Sequence, residues 1–233
     1  MEEPAVNEFI ERLREPLLAA GFEEAGVAFH RGSPPFSAAL DELQARDVVV
    51  VPVMMSRGYY SDVVLPRELA KNRRFGEVRL RYTLPLGLHD GMAALIGRRL
   101  AQLERRFSLD KPAVAIVGHG TARHPESRTS AVDVAREIDA LESIGPAKAF
   151  FLDDEPRVEE LAGFAVDRDV ILLPFLISAG LHAIRDLSRR ALGAELRGDR
   201  PQVAEAGGRR ILIDRPVGND PAIAELLIDL ARS

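Results

Sequence analysis

Pro112-Ala-Val-Ala-Ile-Val-Gly-His-Gly-Thr121 is the stretch from which the fold can be read. Ala113 to Val117 form an unbroken run of small and β-branched apolar residues. Such a run reads as a strand buried on both faces, as found inside a parallel sheet. It ends in Gly118-His119-Gly120-Thr121, where two glycines flank one histidine. The glycines permit a tight turn and let a ligand approach the backbone. In open α/β sheets ligands bind beyond the carboxyl ends of the strands, which is where His119 is expected. A histidine after a strand also serves as a surface or capping residue, and this stretch alone leaves both readings open.

Outward from this strand, helices and strands alternate. In the second half the spacing predicts helices at 128–141, 157–165 and 183–192, and strands at 147–152, 170–176 and 210–213. A polar, Gly-rich excursion to Gly208 and a last helix at 222–231 complete it. In the first half it predicts helices at 8–20, 35–44, 65–72 and 92–106, with strands at 26–29, 48–54 and 78–83. Strands alternating with helices of about ten residues or more imply right-handed parallel βαβ units, so the chain is read as α/β.

The two halves repeat. Val48-Val-Val-Val-Pro52-Val-Met-Met-Ser56-Arg57-Gly58-Tyr-Tyr60 lies over Val170-Ile-Leu-Leu-Pro174-Phe-Leu-Ile-Ser178-Ala-Gly180-Leu-His182 at a constant offset of 122. Pro85-Leu86-Gly87 then matches Pro216-Val217-Gly218 at an offset of 131, the excursion between 192 and 208 absorbing the difference. This organisation predicts two similar flavodoxin-like parallel βαβ halves facing across a cleft, residues 1–109 and 110–233. The first half has no counterpart of the strand ending in Gly118-His119. A central strand missing there would leave a hole in a parallel sheet. Either the start is set too late or that half has been rebuilt, and the sequence leaves both open.

Composition narrows the function classes. The chain has 233 residues, no cysteine and a net charge of −5. Disulfides, iron–sulfur ligation and thiolate metal sites are excluded, and a general nucleic-acid binder is disfavoured. No apolar stretch is long enough for a membrane span, and the acidic Met1-Glu2-Glu3-Pro4 start does not read as a signal peptide, so a cytoplasmic protein with no membrane partner is expected. Lysine occurs only at 71, 111 and 148, leaving 28 of the 31 basic residues as arginine. Arginine suits bidentate carboxylate binding, and a bias in genomic base composition is the alternative reading for most of these positions.

Two histidines follow strands of the same half, His119 after the first and His182 after the third. Both are expected at one carboxyl edge, with Asp153, Asp154 and Glu155 at the end of the strand between. Imidazoles and a carboxylate form a donor set for Fe, Co, Ni or Zn, or an acid–base site. A polar, solvated edge is the alternative.

Gly118-His119-Gly120-Thr121, Phe151-Leu-Asp-Asp-Glu155-Pro156 and Leu173-Pro-Phe-Leu-Ile-Ser-Ala-Gly180-Leu-His182 together resemble the three signatures of the class II tetrapyrrole chelatases. Among these the chain is most similar to the sirohydrochlorin chelatases of CbiX type, and Pro85-Leu-Gly-Leu-His89 is similar to a further segment of that family. The resemblance implies an enzyme that inserts a divalent metal, Co²⁺ or alternatively Fe²⁺ or Ni²⁺, into sirohydrochlorin or a related tetrapyrrole of cobalamin or sirohaem synthesis. It implies His119 and His182 as metal ligands and proton acceptors, with Glu155 as third ligand or proton shuttle. No organic cofactor is implied; the partners are the tetrapyrrole and the ion, in a monomer or homodimer. Because the substrate carries many carboxylates, Arg123, Arg128, Arg185 and Arg57 become candidate substrate-binding residues, with Arg31 a further one.

The chain departs from the family pattern in several places. Thr121-Ala122-Arg123-His124-Pro125 replaces the usual Ser-Arg-(Asp or Asn)-Pro, so His124 is an additional ligand or a solvated loop residue. In the first half Tyr60 replaces the counterpart of His182, Pro34 is read as falling where Glu155 is matched, and His30 is read as a loop residue. His89 corresponds to Asp220 and is a candidate for the cleft. A degenerate first half keeps a second reading in play: a non-catalytic carrier of metal or tetrapyrrole built on the same fold.

Overall fold

The computed structural model describes residues 12–121, 124–177, 181–193 and 201–233, with backbone only for 181–185. It forms two compact units, one of residues up to His89 together with Pro221–Ser233, the other of Asp90–Asp220. The sequence halves and the spatial units therefore differ by an exchange of helices. The helix following His89 belongs to the second unit, and the last helix of the chain to the first.

In the first unit the elements are α1 (Arg14–Ala19), β1 (Asp47–Val50), α2 (Leu65–Leu69) and β2 (Arg79–Tyr82). β1 and β2 pair in parallel, Asp47 opposite Arg79 and Val50 opposite Tyr82. The expected strand at 26–29 is absent; only Phe29 forms a bridge, to Pro35. The expected helix at 35–44 is reduced to one 3₁₀ turn, Phe36–Ala38. A strand needs a neighbour to take up its N–H and C=O groups. Val27-Ala28-Phe29 has strand composition but no ladder beside it among the described residues. The helix expected at 65–72 shortens to α2 and is preceded by a π-turn at Tyr60–Val64.

The second unit contains α3 (Met92–Phe107), β3 (Ala113–Gly118), α4 (Glu126–Asp139), β4 (Ala147–Phe151), β5 (Val170–Pro174), α5 (Leu181–Leu192), β6 (Gln202–Ala206) and β7 (Arg209–Ile213). The chain closes with α6 (Ile223–Arg232), which returns to the first unit. The sheet order is β4-β3-β5-β7-β6, parallel except for β6. Every residue of β3 and β5 is buried, as the unbroken apolar runs predict. α4 turns Ala131, Val134, Ala135 and Ile138 inward at helical spacing, and α3 does the same with Leu95, Ile96, Leu100 and Leu103.

Two further sequence expectations change. The segment 157–165 is a 3₁₀ turn, Val158–Gly163, rather than an α-helix. The Gly-rich excursion contains β6, which pairs antiparallel with β7 through the turn at Gly207-Gly208, both glycines at positive φ. β6 is half exposed and carries short or polar side chains, so its alternation is faint.

The repeat survives as backbone detail. Gly87 N–H donates to Met54 O and Gly218 N–H to Leu176 O, each at 3.0 Å. A Cβ at Gly87 would collide with the Met55 carbonyl, and one at Gly218 with the Ile177 carbonyl. Met55 and Ile177 are themselves partners under the offset of 122. The same close approach is built twice.

Candidate functional site

β3 ends with its backbone held against the end of β4. Leu152 N–H donates to Gly118 O at 3.1 Å, and Asp153 N–H to His119 O at 2.8 Å. On the other side Phe175 N–H donates to Val117 O at 2.8 Å. His119 therefore emerges at the carboxyl edge of a central strand, as expected. Gly120 has φ 69°, and a Cβ there would lie 2.7 Å from Asp154 Cβ. Only glycine lets the turn lie this close to the end of β4.

The extended pairing sets His119 beside Asp153, and Nδ1 lies 3.1 Å from Asp153 Oδ2. Both side chains are largely exposed, 70% and 59%. With Nδ1–H donating to the carboxylate, Nε2 carries the free lone pair. Asp154 is turned inward, its Oδ1 accepting the Glu155 N–H at 2.8 Å. Arg128, in the first turn of α4, points to the same edge. Its guanidinium stands over the Phe151 ring, 5.3 Å from the centroid, and 3.8 Å from Asp154 Oδ1. Glu155 is exposed and accepts from Arg157 Nε at 3.0 Å.

His119, Asp153, Asp154, Glu155 and Arg128 thus share one edge. His182 lies at the start of α5, the helix following β5, and its side chain and that of Arg185 lie outside the described residues, as do Arg123 and Ser178. Among the described residues no group of three or more His, Asp or Glu side chains is close enough to hold a metal. Arg57 and Arg31 are exposed residues of the first unit.

Arg190 was not singled out by the sequence, yet it ties α5 to this edge. Its Nε donates to Glu159 Oε1 at 2.7 Å, and its Nη2 donates to the Leu152 carbonyl. The hydrogen bond to Arg190 holds the Glu159 carboxyl below its ordinary value despite some desolvation. Glu159, and more weakly Asp186 and Asp153, raise Arg190 in turn. Nothing local in the sequence signals a contact across more than thirty residues.

The first unit repeats the backbone of this edge with other side chains. Phe29 N–H donates to Pro34 O at 2.8 Å, as Phe151 N–H does to Pro156 O at 2.9 Å. The bridges Phe29–Pro35 and Phe151–Arg157 agree with that register. Pro34 therefore matches Pro156, and Ser33, not Pro34, stands where Glu155 does. Tyr60, in the place of His182, packs against His30 with ring centroids 4.9 Å apart, and Tyr59 meets Tyr60 edge-on at 5.8 Å. His89 Nε2 lies 2.9 Å from Asp229 Oδ2 on α6, and its ring is mostly buried. Asp220, its repeat partner, lies 3.9 Å from the buried Arg99, whose Nε is 2.6 Å from Asp214.

Comparison with known proteins adds the family. The chain is 27% identical over 235 residues to a probable sirohydrochlorin cobaltochelatase of Halobacterium salinarum, covering 91% of this chain and 80% of that protein. Among solved structures, SirB from Bacillus subtilis with Fe³⁺ superposes with a TM-score of 0.75 at 14% identity, over all of this chain and 91% of SirB. A multi-domain Deinococcus radiodurans protein, described as structurally similar to chelatases with two additional domains, gives a TM-score of 0.72 at 24% identity. The match covers 99% of this chain, which spans about half, 52%, of the Deinococcus protein. The CbiX family model matches residues 2–103 and 113–233, nearly the whole sequence, and the chain belongs to the CbiX family.

Proposed function

We propose that the protein is a sirohydrochlorin chelatase, inserting a divalent metal, Co²⁺ or alternatively Fe²⁺ or Ni²⁺, into sirohydrochlorin or a close relative. The observation that carries this is His119 at the carboxyl edge of β3, its Nδ1 beside Asp153, in a chain matched along nearly its whole length by one family. In this reading the site belongs to the second half, residues 110–233.

Insertion requires that the ion be held loosely, that two pyrrole N–H protons leave, and that four ring nitrogens take the ion over. A neutral imidazole, with a pKa of about 6.5, both ligates and accepts protons near neutrality. His119 Nε2 would be the first ligand, its ring oriented through Nδ1 by Asp153. His182 would be the second, and Glu155 the third ligand or the group that carries a pyrrole proton to solvent. Nitrogen and oxygen donors bind these ions without the grip of thiolates, which suits release to the macrocycle. Arg128 would meet a substrate carboxylate, and Arg123, Arg185 and Arg57 are further candidates. Cobalt, iron and nickel suit the same donors, so availability would decide among them. No organic cofactor enters the scheme.

The test is metallation followed by absorbance, with sirohydrochlorin and Co²⁺, Fe²⁺ or Ni²⁺ in turn. Catalysed insertion with at least one ion is expected. Rates equal to the protein-free control for every ion would sink the enzyme, and saturable binding without turnover would make the protein a carrier. His119→Ala and His182→Ala should each abolish insertion while leaving the far-ultraviolet circular dichroism unchanged. Full activity in either displaces the site.

A further inference from the structure

α5 is seated against the second unit by Leu187 and Ser188, both buried. Arg190 lies further along the same helix and directs its guanidinium to two partners. Nε donates to Glu159 Oε1 at 2.7 Å, Nη2 lies 3.3 Å from Glu159 Oε2, and Nη2 also donates to the Leu152 carbonyl. Glu159 fixes the plane of the fork, and the fork delivers one N–H to the backbone at the end of β4.

The peptide group that accepts this N–H is the one that places Asp153. The Leu152 carbonyl and the Asp153 N–H belong to one planar unit, and a trans peptide directs them to opposite sides. The N–H donates to His119 O at 2.8 Å, while the carbonyl accepts from Arg190. Held at both ends, the plane cannot turn without breaking one of the two bonds. That plane sets the direction in which the Asp153 side chain leaves the backbone, and its carboxylate lies 3.1 Å from His119 Nδ1. Both side chains are largely exposed, so packing does little to orient them and the backbone must. After Glu159 and Asp186, Asp153 is also among the carboxylates that favour the charged guanidinium of Arg190.

The first unit builds the same turn without this tie. Under the offset of 122, Leu152, Asp153 and Arg190 fall on His30, Arg31 and Glu68. A carboxylate has no proton to give a carbonyl, and the Glu68 oxygens lie 2.7 Å from Lys71 Nζ and 3.3 Å from Arg67. The hydrogen bond from Phe29 N–H to Pro34 O forms there all the same, as its counterpart does at Phe151. The tie is therefore not what shapes the turn. Among the described residues it occurs in the unit whose turn carries a carboxylate facing a histidine. We propose that Arg190 is a positioning residue for the metal site: by pinning the Leu152–Asp153 peptide it holds Asp153 on His119 Nδ1, and so presents His119 Nε2 to the ion. This role rests on His119 being a metal ligand, as in the proposed function.

The test is a Co²⁺ titration of the full chain without tetrapyrrole, read from the visible absorption of the bound ion. Arg190→Met keeps the stem and removes every donor, and should weaken Co²⁺ binding about tenfold. Arg190→Lys keeps a charge opposite Glu159 but not the fork, and should be weakened likewise with less loss of stability. Because Arg190 and Asp153 act through one contact, adding Asp153→Ala to Arg190→Met should cost less than about twofold more. Glu159→Gln leaves Arg190 an acceptor and the Leu152 contact; it should lower the urea midpoint yet keep the Co²⁺ affinity within about twofold of the parent. Unchanged affinity in both Arg190 variants, full additivity with Asp153→Ala, or an equal loss of affinity in Glu159→Gln would each overturn the positioning role. His119→Ala, run alongside, tests the reading beneath it. If that variant binds Co²⁺ as tightly as the parent, the metal site is misplaced and both conclusions fall. If it binds more weakly while the Arg190 variants do not, the positioning role falls alone. Coupled losses in a protein that fails to metallate sirohydrochlorin keep the positioning role and sink the chelatase.

Discussion

Asp153→Ala removes the acceptor at His119 Nδ1 and leaves the backbone pairing of β3 with β4 in place. The structure sets the size of the effect. The Nδ1–Oδ2 distance is 3.1 Å, and the side chains are 70% and 59% exposed, so the pair is solvent-screened and its direct energy is small. What is lost is the fixed tautomer and ring orientation. If His119 ligates the metal as the proposed function has it, removing such a partner costs ten- to a hundredfold in affinity, and the exposure puts this pair at about tenfold, or roughly 1.4 kcal/mol. The loss should appear in the KM for the metal, with kcat reduced less than about threefold. Asp153→Asn keeps an acceptor oxygen and should restore most of the affinity. Initial rates of metallation across a Co²⁺ titration, at saturating sirohydrochlorin, read both parameters. An unchanged metal KM in the alanine variant refutes the reasoning. So does an asparagine variant as impaired as alanine, because charge rather than orientation would then be at work.

Other outcomes follow from the packing. Gly218→Ala forces a Cβ into the Ile177 carbonyl and should cost more than about 2 kcal/mol in urea unfolding, whereas Gly97→Ala should stabilise α3 by about 0.5 kcal/mol. At Gly97 a Cβ meets only Leu141 Cδ1, at 3.4 Å, and if that substitution proves as harmful as the first, the packing argument fails. Glu159 is held below its ordinary value by Arg190, so the stability it contributes is present above the unfolded carboxylate value of about 4.3 and is lost as pH falls through the lower folded value. Glu159→Gln should therefore unfold earlier than the parent near neutral pH, and the gap should close as pH falls toward about 3. A gap that is constant across that range would show that Glu159 has no shifted ionisation.

The sequence was most informative where local pattern and tertiary environment agree. β3 and β5 are unbroken apolar runs because both faces are buried, and α3 and α4 carry clean helical spacing because one face is. Val27-Ala28-Phe29 misled because strand composition creates no strand without a partner. β6 escaped notice because an edge strand of Gln202–Ala206 buries only part of one face. At the site, the two glycines around His119 were readable, since a turn this close to β4 admits nothing larger. The partner of that histidine was hidden among three consecutive acidic residues. Only the register of β3 against β4 singles out Asp153, and Arg190 reaches Leu152 through the fold alone.

The repeat separates what the fold requires from what the chemistry requires. Both units keep the glycine against a carbonyl, at Gly87 and Gly218, and both keep the hydrogen bond from a phenylalanine N–H to a proline carbonyl. These features shape a strand edge and are indifferent to what it binds. The side chains on that frame diverge: Ser33 stands for Glu155, and Tyr60, packed on His30, stands for His182. Under the proposed function, a shared frame with diverged side chains is the expected product of a duplication in which one copy carries the ligands. For an ion that must pass to four ring nitrogens, a second set of protein donors would compete with the macrocycle for the same metal. Under the proposed function, the aromatic replacement in the first unit is then compatible with turnover, because one set of weak donors suffices for delivery.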